Sequence, residues 1–461
     1  MASRARDINQ KVLELNEDTN WYGSIAEIGG GQETGRWFFR VGRASGTVAK
    51  TMSAYDMTFS DAIYGRSTRY VSRQRLIQML DHEFGLLLER LSGIGGGKRF
   101  FAFANTVATR SHLTGDPGRG WLGVRFQHAP GGEASQIILH AQFHDWDNLH
   151  QQEALGVLGI NLIHGAYGLF EDPEALIDAL VDNLRPGRVE VDMIHFDGPV
   201  AQRIDNRVMS LRLVSRGLTD ATMFTAGGRP VQPAEQLYDQ PVLVQRGAFH
   251  PITLPVVHML EQAERHVRDE SDGPCEPVVV TEMNLPELER DKATDQAALL
   301  ERMEILQQLG RNVLISNFRE HFRLTQLICR YTKRRVGLVM GAATLPALFD
   351  PRYYEDLPGG VLEAIGRLFK RNVRFYVYPY RDRSGRLIDV QGVEVAGHAA
   401  QLYRYLLATG AVQGLEPDPR SDLAVFPEDV RRMIREGEAG WEALVPEVVA
   451  AALRGAGATK R

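Results

Sequence analysis

Cysteine is almost missing from this sequence, since only Cys275 and Cys329 occur among 461 residues. Two cysteines so far apart support neither a disulfide framework nor a cysteine-rich zinc site. Long apolar runs are missing too, because the most hydrophobic stretch is interrupted by Asn161 and His164 and is too short to span a bilayer. The N-terminus is charged and lacks the apolar core of a signal peptide. We therefore expect a cytoplasmic protein without a membrane segment.

The sequence also lacks an excess of positive charge. Its formal net charge is −5 at pH 7, with 53 Lys and Arg residues against 58 Asp and Glu residues. Domains that bind nucleic acid carry a clustered basic excess, so we do not expect nucleic acid as a partner. What is present is an ordinary globular composition, 44% hydrophobic and 24% charged, which can bury a large core.

From residue 136 onward, short runs rich in Val, Ile and Leu alternate with amphipathic helical segments. Such runs are typical of strands buried on both faces, as in parallel sheets. Residues 136–378 predict about eight strand–helix units in one continuous, mostly parallel α/β unit, either a barrel or a doubly wound open sheet. We predict three regions: an α+β subdomain with glycine-rich turns at 1–135, a main α/β domain at 136–411 and a helical extension at 412–461.

One strand–turn–helix segment carries a recognisable motif, RGAFHPIT at residues 246–253. It resembles the first half of the nucleotidyltransferase signature, G-x-F-x-P followed by H/T-x-G-H, of nicotinate-nucleotide and phosphopantetheine adenylyltransferases. The matching residues are Gly247, Phe249, Pro251, Ile252 and Thr253. As a whole, the chain is similar to a group of bacterial cytosolic proteins that carry the name nicotinate-nucleotide adenylyltransferase.

The resemblance implies that backbone amides and a helix N-terminus hold the phosphates of a nucleotide. It also implies Mg²⁺ if a phosphoryl or nucleotidyl group is transferred. The segment ISNFREHFR at 315–323 partly resembles the element with which that family grips the triphosphate. The side chains expected near the phosphate are Arg246, Ser316, Arg319 and Arg323.

The chain departs from the family pattern at the catalytic histidine. Val256 stands where the family has that residue, and His258 follows two positions later. Half a helical turn separates these two positions, so their side chains point in different directions. The alternative is a plain strand-to-helix turn, in which Gly247 permits the bend and Thr253 caps the helix.

A second glycine-rich turn follows an earlier strand. Gly29, Gly30 and Gly31 suit close approach of backbone to a ligand phosphate or carboxylate. The alternative is an ordinary flexible turn.

The segment HAQFHDWDNLH at 140–150 concentrates histidine and aspartate residues, which suggests a metal site. His140 and His144 would be about 13 Å apart on a strand, too far for one ion. The remaining candidate ligands are His144, Asp145 and Asp147, joined by a residue such as Asp192 or His195; the alternative is a solvated loop.

Polar residues recur where the predicted strands end. Ligands bind at that edge of α/β sheets, so we take Asp192, His195 and Glu282 as catalytic candidates, together with His258. Strand ends are also where chains become polar without any function.

We expect an α/β enzyme that binds a small phosphorylated or nucleotide ligand at the carboxyl edge of its sheet. The expected chemistry is nucleotidyl or phosphoryl transfer, and the expected assembly is a homo-oligomer. The alternative is a non-catalytic, self-assembling or scaffolding protein with an enzyme-like fold, because fold alone does not establish activity.

Overall fold

A computed structural model of the protein describes most of the chain. The described residues are 6–91, 93, 97–110, 117–270, 276–286, 296–370 and 372–459. The chain divides into two compact units, Met1–Thr222 and Met223–Arg461.

The first unit is built on a six-stranded sheet. Its strands are β1 (Trp21–Ile28), β2 (Val48–Met52), β3 (Arg99–Ala108), β4 (Gly118–Gln127), β5 (Ala134–Phe143) and β6 (Val189–Asp197). They are ordered β2-β1-β3-β4-β5-β6. β1 is parallel to both of its neighbours, whereas the three pairs from β3 to β6 are antiparallel. The sheet is therefore mixed.

The prediction of one continuous parallel unit over 136–378 is wrong. The predicted boundary after residue 135 falls inside β5, which pairs antiparallel with β4 on one side and β6 on the other. The reason is burial, because every residue of β5 after Ala134 is buried. Helices pack on both faces of this sheet, so an antiparallel strand acquires the continuous apolar run that is typical of a parallel one.

Helices cover this sheet on both faces. They are α1 (Ile8–Glu17), α2 (Glu33–Val41), α3 (Met57–Tyr64), α4 (Arg73–Leu91), α5 (Asn148–Gly168), α6 (Pro173–Ala179) and α7 (Asn206–Ser215). The larger core lies on the face that carries Ile25 and Phe103, against α1, α2 and α5. The opposite face, which carries Ala26 and Ala104, packs on residues of α3 and α4.

The second unit is built on an eight-stranded sheet. Its strands are β7 (Ala221–Phe224), β8 (Pro230–Val231), β9 (Val242–Arg246), β10 (Val278–Asn284), β11 (Asn312–Ser316), β12 (Val336–Gly341), β13 (Val373–Tyr378) and, after the hairpin of β14 (Tyr380–Arg381) and β15 (Leu387–Ile388), β16 (Val412–Gly414). The order is β16-β13-β12-β9-β10-β11-β7-β8. The neighbours from β16 to β11 are all parallel.

The α/β class with a largely parallel sheet is thus confirmed. The order begins at β16 and ends at β8, so the sheet is open and the doubly wound alternative holds over the barrel. The predicted boundary after residue 411 is wrong because β16 pairs with β13 and completes the sheet.

The connections of the second unit are helical. They comprise α8 (Pro233–Leu237), α9 (Leu254–Asp269), α10 (Gln296–Gln308), α11 (His321–Tyr331), α12 (Gly360–Leu368), α13 (Ala399–Ala408), α14 (Pro427–Glu436) and α15 (Glu447–Thr459). The last two confirm the helical C-terminal end. Among the described helices, none combines the length and the apolar character that crossing a membrane requires.

Candidate functional site

β9 lies where the chain reverses its direction across the second sheet. From β9 the chain proceeds to β10 and β11 on one side, and then returns to add β12 on the other side of β9. In open α/β sheets, ligands bind at the carboxyl ends of the strands that flank such a reversal. We call this place the switch-point edge: the end of β9 with the turn 247–253, and the end of β12 with residues 341–344. The sequence motif lies there.

The turn 247–253 is organised around a buried aromatic ring. Phe249 has a positive φ of 48° and is 8% exposed. A Cβ added to Gly247 would lie 3.4 Å from this ring, which is ordinary van der Waals contact, and Gly247 does not have a positive φ. The backbone therefore does not require glycine at position 247, in contrast to the alternative considered from the sequence.

The helix N-terminus after this turn is not capped by a side chain. Thr253 occupies the cap position of α9, but its hydroxyl is buried and has no hydrogen-bond partner among the described residues. Its carbonyl accepts hydrogen bonds from the N–H groups of Val256 and Val257. The predicted capping by Thr253 is thus wrong, and the first N–H groups of α9 are left without that oxygen.

Arg246 is used inside the protein rather than for an anion. Its Nε and Nη2 donate to the two oxygens of Glu282, at 2.6 and 3.0 Å, and Glu282 is completely buried. Ser316 Oγ donates to the same carboxylate at 2.5 Å. Glu282, Arg246 and Ser316 therefore lie together, but the charges of Glu282 and Arg246 compensate each other instead of facing a ligand.

The same arginine fixes the segment in front of α11. Its Nη1 and Nη2 donate to the carbonyl oxygens of Arg319 and Phe318, both at 3.0 Å. The side chain of Arg319 is exposed and makes no ion pair within the described part of the chain. Arg323 Nε lies 3.3 Å from a carboxylate oxygen of Glu320. Of the three arginines named from the sequence, Arg319 is the one left available for an external anion.

Two titratable side chains with shifted pKa values lie near this edge, His321 at the start of α11 and Tyr354 between β12 and α12. Burial and the charge of Arg246 lower the pKa of His321 to about 3, so its imidazole is neutral at physiological pH. Burial, then the charge of Glu320, raises the pKa of Tyr354 to about 12. The Tyr354 hydroxyl donates to the Leu348 carbonyl at 2.8 Å. Sequence patterns did not single out these two residues, because neither lies at the end of a predicted strand.

In the first unit, Asp192 forms a buried pair that the sequence did not reveal. His140 Nδ1 lies 2.6 Å from one Asp192 oxygen, and Gln142 Nε2 donates to the other at 2.9 Å. The three side chains link β5 to β6 beside an irregularity in their pairing. His140 and Gln142 are two residues apart on one strand face, which is the signal that could have found them.

His195 does not join this pair as a ligand of a common site. It lies opposite Ile138 in the β5–β6 register, towards the end of β6. Because β6 is antiparallel to β5, its carboxyl end is at the other edge of the sheet from that of β5. The expectation that both residues converge with the other strand ends is therefore wrong.

The predicted metal site is not assembled either. His144 Nε2 lies 3.3 Å from Glu190, Asp145 accepts from Arg188 Nε at 2.8 Å, and Asp147 caps α5. Among the described residues, no group of three or more His, Cys, Asp and Glu side chains is placed to hold a metal ion. Each predicted ligand has instead a separate partner.

The glycine turn of the first unit is packed against protein. A Cβ at Gly29 would lie 2.0 Å from the Val107 carbonyl oxygen, and one at Gly30 would lie 2.5 Å from Leu155. Gly31 has a φ of 88°, which favours glycine. Close packing and backbone conformation therefore account for these glycines, without the ligand proposed from the sequence.

The helix that follows this turn already has an internal anion. The Glu27 carboxylate accepts from the N–H groups of Thr34 and Gly35, at 3.2 and 3.0 Å, and from Asn105 Nδ2 at 2.9 Å. Burial raises the pKa of Glu27, which these hydrogen bonds oppose. The N-terminus of α2 thus has its own carboxylate, whereas that of α9 has no side-chain cap.

Comparisons with known proteins add no function. No family model matches the sequence, and no curated protein matches it. Among solved structures, the competence/damage inducible protein CihA from Agrobacterium tumefaciens is similar over 35% of this chain and 97% of its own, with 18% sequence identity and a TM-score of 0.26. A likeness this low carries no argument about activity.

The Arg246–Glu282 pair generates a stability prediction. Glu282→Gln removes the negative charge and leaves the guanidinium poorly compensated, so we expect a loss of about 3 kcal/mol in the free energy of unfolding. Urea titration followed by circular dichroism measures it. The matched control is Glu276→Gln, which removes a carboxylate that is mostly exposed and paired with Arg268, and should change stability by less than about 0.5 kcal/mol. Equal effects of the two substitutions would contradict this account.

His321 generates a pH prediction. Because its pKa in the folded protein lies below the ordinary 6.5, the unfolded chain takes up the proton first as the pH falls. The contribution of neutral His321 to the free energy of unfolding is fully present above about pH 6.5 and is lost as the pH falls towards 3. We expect the unfolding free energy of His321→Asn to fall less between pH 6.5 and pH 4 than that of the parent protein. His398→Asn, at an exposed position, should follow the parent; a parallel acid response of the His321 variant would refute the prediction.

Proposed function

We propose that the second unit binds a small phosphorylated or nucleotide ligand at the switch-point edge. The observation that carries the proposal is the strand order, which sets the end of β9 and the start of α9 at the reversal point of a doubly wound sheet. A helix N-terminus at that position presents the positive end of its dipole to a phosphate, although Pro255 has no N–H and the Val256 and Val257 N–H groups donate to the Thr253 carbonyl.

Charge at this edge agrees with the proposal. Glu282 lies opposite Arg246 at the end of β9, and its charge is balanced by Arg246, so it does not repel an anion. Arg319 contributes an exposed positive charge on the segment that Arg246 holds. The unpaired guanidinium suits bidentate contact with phosphate oxygens.

Catalysis of nucleotidyl or phosphoryl transfer would require Mg²⁺ to neutralise developing charge. The described residues offer no carboxylate cluster for it, so phosphate oxygens and water would supply its ligands. Binding of the ligand therefore needs no metal from the protein, whereas transfer chemistry depends on a metal brought by the nucleotide.

A second candidate function is self-assembly through the first unit, which one observation favours. Tyr55, Met57 and Phe59 are exposed at 77%, 60% and 60%, close in sequence to the edge strand β2. Exposed apolar side chains beside an unpaired strand edge mark interaction surfaces. This candidate does not exclude ligand binding by the second unit.

The ligand proposal predicts a thermal shift. ATP at a hundredfold excess over its Kd should stabilise the folded protein by about 2.7 kcal/mol and raise its Tm. Gly341 ends β12, and a Cβ there would meet no atom within 4 Å, so a side chain can be added without a clash. We expect Gly341→Asp to bind ATP at least about tenfold more weakly, because it adds negative charge at the site. Gly341→Asn, of nearly the same size, should keep most of the shift.

The panel should include NAD, mononucleotides and inorganic pyrophosphate, each with and without Mg²⁺. Absence of any shift in the parent protein would reject the ligand proposal. Equal loss of binding in the Asp and Asn variants would show that the added side-chain volume, and not the added charge, weakens binding.

The self-assembly candidate predicts a change in mass. Light scattering after gel filtration should give a multiple of the chain mass for the parent protein, and a smaller species for Tyr55→Ser combined with Phe59→Ser. The matched control is Tyr238→Ser, since Tyr238 is exposed at 65% outside this patch. A monomeric parent protein, or an unchanged mass in the double variant, would reject this candidate.

A further inference from the structure

His258 is buried close to the N-terminus of α9. It lies one helical turn after Leu254, the first residue of the helix, and is 6% exposed. Its Nδ1 atom is buried and has no hydrogen-bond partner among the described residues. Buried polar atoms are almost always paired, so this imidazole calls for a partner from outside the chain.

The direction of the helix points His258 towards the switch-point edge. Cα–Cβ bonds of an α-helix tilt towards its N-terminus, so a side chain covers the turn in front of its own residue. The turn in front of His258 begins at Thr253, whose fully buried hydroxyl also has no partner among the described residues. Two unpaired buried polar groups therefore lie at the same helix end.

One ionised carboxylate interacts with His258. Asp418 is 2% exposed, and its carboxylate interacts electrostatically with His258. Hydrogen bonds from Arg420 hold the pKa of Asp418 well below its ordinary value, so this carboxylate stays ionised. Gln262 Nε2 also donates to Asp418, at 3.1 Å, and the Asp418 N–H donates to the Tyr378 hydroxyl at 2.9 Å.

Positive charges near Asp418 are themselves partly compensated. Arg420 Nη2 donates to Glu261 at 2.9 Å as well as to Asp418 at 2.7 Å. Arg265 lies 3.9 Å from Asp418 and 4.0 Å from Glu261. The polar groups around Asp418, the residue that interacts with His258, are thus Gln262 and Arg265 on α9, Arg420 after β16, and Tyr378 at the end of β13.

We propose that the unpartnered Nδ1 of His258 donates a hydrogen bond to a phosphate oxygen of the ligand bound at the switch-point edge. The inference rests on the proposed function and adds a determinant to it: the ligand is recognised as a phosphate at the start of α9.

The test is calorimetric titration of the full chain at pH 7.5 with ATP, and separately with inorganic pyrophosphate. We expect the parent protein to bind both probes. The His258→Gln variant should bind each probe about tenfold more weakly, since a hydrogen bond to a charged group is lost.

The matched control is His398→Gln, which replaces an exposed histidine outside the turn 247–253 and should keep the affinity of the parent protein. Should His258→Gln fold poorly, the proton resonances of the His258 ring in the parent protein answer the same question, because ATP must shift them.

The outcomes separate the two proposals. A parent protein that binds neither probe overturns the proposed function, and this inference with it. Binding by the parent protein that the His258→Gln variant retains with the same affinity overturns this inference alone. Ring resonances of His258 that do not move on addition of ATP overturn it as well.

Discussion

The second unit depends on the position of β9 between β10 and β12. β9 is hydrogen-bonded to β10 on one side and to β12 on the other, and the chain adds strands in opposite directions from it. The helical connections on the two sides of β9 therefore diverge and do not cover its carboxyl end. The turn 247–253 and the first turn of α9 are left at that end, and every candidate ligand contact described for this unit derives from this arrangement.

The buried carboxylate of Glu282 organises the same edge from within. It holds Arg246, and Arg246 in turn holds the backbone of residues 318–319 in front of α11. A buried pair of this kind gives little net stability, because both ions lose hydration, but it fixes the strand ends relative to the loop. The contrast with Glu27 is informative: in the first unit the buried carboxylate lies at the start of α2 and takes the place of an external anion.

Much of the fold was predictable from local patterns. The apolar runs of β9 to β13 and the amphipathic helices between them predicted the α/β class and left a barrel or a doubly wound open sheet as alternatives. Those signals depend on residues that are close in sequence. The direction of pairing was not predictable for β5, because covering helices make parallel and antiparallel strands equally apolar.

The site was predictable only in part. The sequence located the strand–turn–helix at Gly247, and it named Glu282 as a catalytic candidate and Arg246 and Ser316 as phosphate contacts. It could not show that Arg246 bonds to a carboxylate 36 residues away, or that Thr253 leaves its helix uncapped. Such pairings depend on rotamers and on strand order, which no local pattern encodes.

Hydrogen exchange with and without ATP tests the central claim most directly, because it reads backbone amides residue by residue. The account predicts slower exchange, on addition of ATP, in peptides that cover residues 249–257 and 317–321, with no change in peptides that cover β1 and α2. Protection confined to the glycine turn at residues 29–31, or none at the start of α9, would contradict it.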